Sequence, residues 1–107
     1  MSMSDKPPSI HVQGREIIVR YQSAIDDSPS VDTIQSEDIV QIVLERVGSD
    51  VHWFLQHRAG WTLHFHDGFQ GAATAISWLE RFAGFSVPAL GQIAGPGGEG
   101  TVVWSSE

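Results

Sequence analysis

The chain has 107 residues and a formal net charge of −7, from 6 basic and 13 acidic side chains. Its length corresponds to one domain, and its acidic balance argues against binding to nucleic acids or anionic membranes, which need clustered Lys and Arg. The absence of cysteine excludes disulfides, thiol nucleophiles and Cys-ligated zinc, and it fits a cytoplasmic protein.

The N-terminal residues 1–9 are rich in Ser and Pro, and we expect a disordered leader there, followed by a single domain over residues 10–107. The leader has no apolar core of a signal peptide. No run in the chain approaches the ~20 apolar residues of a membrane span, so we expect no membrane partner.

The first predicted elements lie in residues 10–22. Gln13 and Gly14 form a turn signal between two runs rich in β-branched residues, which predicts a β-hairpin. Residues 23–32 follow as a polar stretch with a proline, and we expect a loop there.

Residues 33–50 admit two interpretations. Ser36 as an N-cap, an acidic first turn and Gly48 past the end are typical of a helix. Five β-branched residues from position 39 to position 47 instead favour a strand with Val40, Ile42 and Leu44 on its apolar face. We prefer the strand, because the hairpin that follows needs a partner and two strands alone are marginally stable.

Residues 51–66 have the clearest pattern in the chain, a second β-hairpin. A three-residue loop over residues 58–60 sets Leu55 opposite Leu63 and Trp53 opposite Phe65. A two-residue loop would mix apolar with polar faces, so the buried face selects the longer loop. One face then carries Val51, Trp53, Leu55, Trp61, Leu63 and Phe65, and the other carries His52, Phe54, Gln56, Thr62, His64 and His66.

A helix is predicted over residues 70–82, where apolar side chains recur at helical spacing, and Gly84 ends it. We expect Trp53 and Trp61 to be buried beneath this helix and Trp78 to bury against the sheet edge. A Trp left exposed would mark an interface.

The C-terminal part begins with a predicted flexible loop over residues 91–100, which holds five glycines and a proline. A short strand over residues 101–104 is expected to rejoin the sheet. The fold class is therefore α+β: an antiparallel sheet of five or six strands with one long helix packed on one face and a short C-terminal strand.

Three motifs, "DVHWFL", "AATAISWLERFAGF" and the late Trp104, resemble a family of small uncharacterised bacterial proteins. Upstream, "TIQSEDIVQIVLERV" resembles the strand region of bacterial pleckstrin-homology-like domains, which usually have Trp where this chain has Gln35. The resemblance covers residues 33–85. It implies a strand over residues 39–47 and implies no activity.

The histidines are the candidate metal ligands. In the predicted register His52 lies opposite His66, and His64 points to the same side, which is the geometry of a tri-His zinc site with Asp67 or Glu45 holding a ring. The alternative, which we prefer, is a polar sheet face that is solvated or covered by a partner. We therefore expect no stoichiometric zinc in elemental analysis of protein purified without added ions. The matched His64→Ala variant should keep its fold.

No other constellation points to a catalytic residue or to a cofactor. The "GPGGEG" stretch lacks the Lys and the helix of a phosphate loop, and we place His11 and His57 on the surface. The function predicted is that of a small non-enzymatic cytoplasmic protein acting through protein contact, as a homodimer, with Phe54 and Val43 on the polar sheet face. Two alternatives stay open, a metal-binding module or metalloenzyme built on the three histidines and an acidic, immunity-type inhibitor of a toxin.

Overall fold

Two antiparallel β-sheets and one short helix form the part of the chain that the computed structural model describes, residues 7–22, 28–82, 84–85 and 101–106. One sheet has the strand order β1-β2-β3 and the other has the order β6-β5-β4-β7. The elements are β1 (Ser9–Gln13), β2 (Glu16–Gln22), β3 (Pro29–Gln35), β4 (Ile39–Val47), β5 (Asp50–His57), β6 (Thr62–His66), α1 (Ala72–Leu79) and β7 (Thr101–Ser105), with a 3-10 turn at Ser36–Asp38.

The α+β class with antiparallel pairing is confirmed, whereas the single sheet of five or six strands is wrong. Seven strands are described, and the strand that the sequence did not predict is β3, which occupies part of the expected loop. Its pairing with β2 sets Ser30, Asp32 and Ile34 opposite Tyr21, Val19 and Ile17. Only Ile34 among these three β3 residues is buried. The polar side chains at the other two inward positions hide the alternation by which a strand is recognised.

The inner faces of the two sheets share one hydrophobic cluster. Strand β2 contributes Ile17 and Val19, β4 contributes Ile42 and Leu44, and α1 adds Leu79. Burying these faces against each other stabilises both sheets, since a three-stranded sheet alone leaves one apolar face in water. The remaining members are Ile10, Ile34, Ile39, Val51, Trp53, Leu55, Leu63, Phe65, Ala72, Ala75 and Val103.

The preferred strand over residues 39–47 is confirmed as β4, with one correction to its apolar face. The pairing with β5 shifts between Ile39 and Gln41, so Val40 stands at a β-bulge. Ile39 is buried in its place together with Ile42 and Leu44, and Val40 is only partly buried. A bulge inserts one residue and reverses the alternation, which sequence periodicity alone does not reveal.

The hairpin of β5 and β6 has the predicted register. Trp53 pairs with Phe65 and Leu55 with Leu63, and the loop closes with Gly60 at φ 101°. Val51 and these four side chains are buried, as expected. The alternation therefore assigned the inner face correctly within the paired strands.

The helix is shorter than predicted and packs differently. It spans Ala72–Leu79 instead of residues 70–82, because Gly71 adopts a left-handed φ of 86° immediately before it. The segment before the helix extends the first sheet, since Ile10 donates its backbone N–H to Gln70 at 2.8 Å. The helix contacts mainly β1 and buries Ala72, Ala75 and Leu79. The helix thus lies beside β1, the edge strand of the first sheet, and its buried residues join the shared core.

The C-terminal strand rejoins the sheet as expected, pairing with β4. At this strand Phe82 contacts two tryptophans edge-on, with its ring centroid 5.3 Å from that of Trp78 and 5.2 Å from that of Trp104. Trp78 is partly buried there, against the core. The predicted flexible loop over residues 91–100 lies outside the described residues.

The predicted leader lies partly outside the described residues, which begin at position 7. Its last residue, Ser9, already belongs to β1, and Pro8 accepts a hydrogen bond from the backbone N–H of Gln70 at 3.1 Å. Across the segments that the structure describes, no helix reaches the length and hydropathy that crossing a membrane requires.

Candidate functional site

The three candidate histidines lie on the outward side of the four-stranded sheet. His52 pairs with His66 as predicted, and Phe54 pairs with His64. Together with their neighbours these residues form a surface that we call the outer face. It consists of Gln41, Val43 and Glu45 of β4, His52, Phe54 and Gln56 of β5, Thr62, His64 and His66 of β6, and Val102 of β7.

His52 and His64 are joined by a direct hydrogen bond. Nδ1 of His52 lies 2.7 Å from Nε2 of His64, and the two rings are nearly parallel, with centroids 5.0 Å apart and an interplanar angle of 6°. One of the two nitrogens therefore carries the shared proton and the other accepts it. His64 also stacks on Phe54 at 5.0 Å.

His66 is oriented by the turn that follows it. Its Nδ1 accepts the backbone N–H of Gly68 at 2.9 Å, and its ring meets the edge of Phe69 at 4.6 Å. Because Nδ1 accepts, the neutral ring carries its proton on Nε2. The ring of His52 lies 5.2 Å away and is tilted by 48°.

This arrangement differs from that of zinc ligands. Two nitrogens on one tetrahedral zinc, each at about 2.0–2.1 Å from the metal, are separated by about 3.3 Å, whereas those of His52 and His64 are 2.7 Å apart. A metal-bound histidine donates its second ring N–H, while Nδ1 of His66 is an acceptor. Both observations favour a hydrogen-bonded pair over a chelate, and the absence of stoichiometric zinc stays a prediction.

Acidic residues do stand beside the histidines. Glu45 is the cross-strand neighbour of His52. Among the described residues, one group of potential metal ligands has its atoms within 4.8 Å of one another, and it consists of Asp50, His66 and Asp67. Asp67 is among the residues expected near the histidines, whereas Asp50 is not. The predicted pairing of His52 with His66 also sets Val51 opposite Asp67, which brings the preceding residue, Asp50, close to Asp67. In the structure Asp67 donates its backbone N–H to Val51.

Trp61 and His57 depart from their predicted positions. Trp61 is 41% exposed instead of buried beneath the helix, and it stacks on His57 at 4.5 Å. The His57 side chain, expected on the surface, is only 17% exposed and lies 3.6 Å from the Asp38 carboxylate, which also pairs with Arg58. The reason is that Trp61 precedes β6 and lies beyond the last core pair, Leu55 and Leu63.

His64 is expected to titrate below an ordinary histidine. Burial, and then the neighbouring His52 and His66, lower the pKa of His64 from its usual value of 6.5. The unfolded chain therefore binds more protons than the folded protein just below pH 6.5, so stability falls as pH decreases from there towards the lowered pKa. NMR titration of the His64 ring in the folded protein checks this. A midpoint at or above that of the same ring in the urea-unfolded chain would contradict it.

Comparison of this chain with family models, with curated proteins and with solved structures finds no match. The resemblance to small bacterial proteins and to pleckstrin-homology-like domains thus stays a prediction. Function has to be argued from the chain's own surfaces.

Proposed function

We propose that the protein is non-enzymatic and acts through protein–protein contact, as a homodimer joined through the outer face. The supporting observation is one row of side chains that crosses all four strands of the sheet. Val102 pairs with Val43, Val43 with Phe54, and Phe54 with His64. The proposed location is the cytoplasm, as the cysteine-free composition predicts.

Exposure along this row supports its use in binding. Val102 is 52% exposed, and Val43 and Phe54 are partly exposed. A contiguous apolar stripe between polar residues is typical of an interaction site. The flanking rows are polar: one contains Gln41, Gln56 and Thr62, and the other contains Glu45, His52 and His66.

The charges of the flanking rows fit a second copy of the chain. Packed sheets keep their strands within about 30° of each other. We place the two-fold axis between the two facing sheets and parallel to β5. Rotation about this axis stacks β4 of each copy on β6 of the other. Glu45 of one copy then lies against His66 of the other, whose Nε2 carries its proton because Nδ1 accepts from Gly68. Phe54 meets Phe54 on the axis.

Sedimentation at micromolar concentration should give the dimer mass, and Phe54→Glu should give a monomer, since it sets two carboxylates against each other on the axis. Val31→Glu is the matched control: Val31 is 57% exposed on the other sheet, and its replacement should leave the dimer intact. A monomer at high concentration would refute the homodimer. A dimer that survives Phe54→Glu but is lost in Trp61→Ser would refute the outer face.

The orientation is tested by a charge exchange. Glu45→Lys alone should weaken the dimer, because it places a lysine against His66. Adding His66→Glu should restore association, because the pair is then reversed. If the double variant is weaker than both single variants, the two residues do not face each other. The metal-binding and toxin-inhibitor alternatives stay predictions.

A further inference from the structure

A cavity of about 470 Å³ lies where the first sheet meets the edge of the second. Strands β2 and β3 contribute Tyr21 and Asp32 to its lining, β6 contributes His64, and Phe69 lines it as well. This volume lies in the range of small-molecule sites. Of its described lining residues, Thr62 and His64 also belong to the outer face, whereas Val43 and Phe54, at the centre of the contact proposed above, do not line it.

Strand β3 contains polar side chains at positions where core packing would favour apolar ones. Ser30 and Asp32 occupy inward positions next to the buried Ile34, where a strand normally places apolar residues. Asp32 accepts a hydrogen bond from the Tyr21 hydroxyl, and Ser30 donates one to the Tyr21 oxygen. Ser30 and Asp32 are both only partly buried, so Asp32 keeps access to the open volume that it lines and can bind a ligand there.

The charge of the cavity is negative. Among its described lining residues Asp32 is the one carboxylate, and none is Lys or Arg. Burial, and then the hydrogen bond to Asp32 and its charge, raise the pKa of Tyr21, which keeps the phenol neutral. The lowered pKa of His64 keeps the imidazole neutral above pH 6.5. Since the described lining holds a carboxylate and no Lys or Arg, it attracts a positively charged ligand and disfavours an anion.

Two aromatic rings in the lining favour an organic cation over a metal ion. Tyr21 and Phe69 both line the cavity, and aromatic faces attract ammonium groups and pack against the carbon atoms attached to them. A metal ion would need several oxygen ligands, and Asp32 is the one described carboxylate in the lining. We propose that this cavity binds a small organic cation, an amine or quaternary ammonium, with its charge against Asp32 and its carbon atoms between Tyr21 and Phe69.

The experiment is an NMR titration of the labelled protein with choline, butylamine and putrescine, each compared with a neutral analogue. The neutral tert-butyl isostere of choline has the same shape without the charge. We expect saturable shifts at Tyr21, Asp32, His64 and Phe69 with at least one amine, and at least about tenfold weaker binding of the isostere. Magnesium and acetate should produce no saturable shifts there.

Two variants distinguish binding in this cavity from a non-specific attraction of amines to the negatively charged protein. Asp32→Asn should weaken the amine at least about tenfold, whereas Glu80→Gln removes the same charge from an exposed position at the end of the helix and should not. The proposal is overturned if no amine saturates, if the isostere binds as tightly as choline, or if both variants bind alike. The comparison of choline with its isostere needs no variant, so it holds even if Asp32→Asn does not fold.

Discussion

Replacing Trp53 by alanine is expected to lower the free energy of unfolding by roughly 3–5 kcal/mol. Trp53 is 4% exposed, and its ring stacks on Phe65 at 5.7 Å and on Phe85 at 6.1 Å. Truncation removes the largest apolar surface of the hairpin and leaves a cavity that its neighbours, held in paired strands, do not fill. Urea unfolding followed by circular dichroism measures the change.

Thr62→Ala is the matched control, because Thr62 lies on the outer face of the same hairpin and is exposed. Its replacement should change stability by less than about 0.5 kcal/mol. Similar small changes in both variants would show that the assignment of inner and outer faces is wrong. A large loss for Thr62→Ala would show that the outer face packs against another part of the chain.

Gly71→Ala should also lower the free energy of unfolding, by about 2–5 kcal/mol. Gly71 has φ 86°, and a Cβ built on it overlaps the carbonyl oxygen of Ile10. The left-handed backbone costs a residue with a Cβ about 1–2 kcal/mol. Relieving the overlap displaces β1 from Gln70, which disrupts hydrogen bonds worth about 1–3 kcal/mol when left unmade inside the protein.

The Gly14→Ala variant measures the backbone cost without the overlap. Gly14 has a similar φ of 64° but no atom within 4 Å of an added Cβ. Only the backbone cost of about 1–2 kcal/mol should remain, as measured by the same urea unfolding. Equal losses of unfolding free energy in both variants would mean that the close approach of Gly71 to Ile10 does not help to hold the helix against β1.

The two proposals share Thr62 and His64 but are separable in one preparation, because the variants that test them change other residues. Phe54→Glu is expected to abolish the dimer and leave the cavity intact, since Phe54 is not among its lining residues. Asp32→Asn is expected to weaken amine binding and leave the dimer intact, since Asp32 lies on the first sheet. His64 borders the cavity and also lies on the outer face, so its replacement tests neither proposal alone.

Parts of the candidate site could be predicted from the sequence, because they depend on neighbours in one hairpin. Alternation and the length of the turn are enough to set His52 opposite His66. The hydrogen bond between His52 and His64 depends on ring rotations, which periodicity does not encode. The acceptor role of Nδ1 in His66 depends likewise on the turn at Gly68. These two contacts decide how the histidines behave chemically.

The sequence by itself determined the elements whose signals are local. These are the first hairpin, the register of β5 and β6, the strand character of β4 and the return of β7 to the sheet. In each of them, apolar alternation or a turn residue acts over a few positions. These local signals were therefore enough to predict the α+β fold class.

Only the tertiary structure decided what depends on residues far apart in the chain. The division into two sheets follows from a core shared by both, and the short helix follows from Gly71 approaching Ile10, more than fifty residues earlier in the chain. Strand β3 is held by its pairing with β2, while its inward Asp32 faces a cavity. A strand whose inner side borders an open volume lacks the apolar alternation by which sequence reveals strands, because no core selects for it.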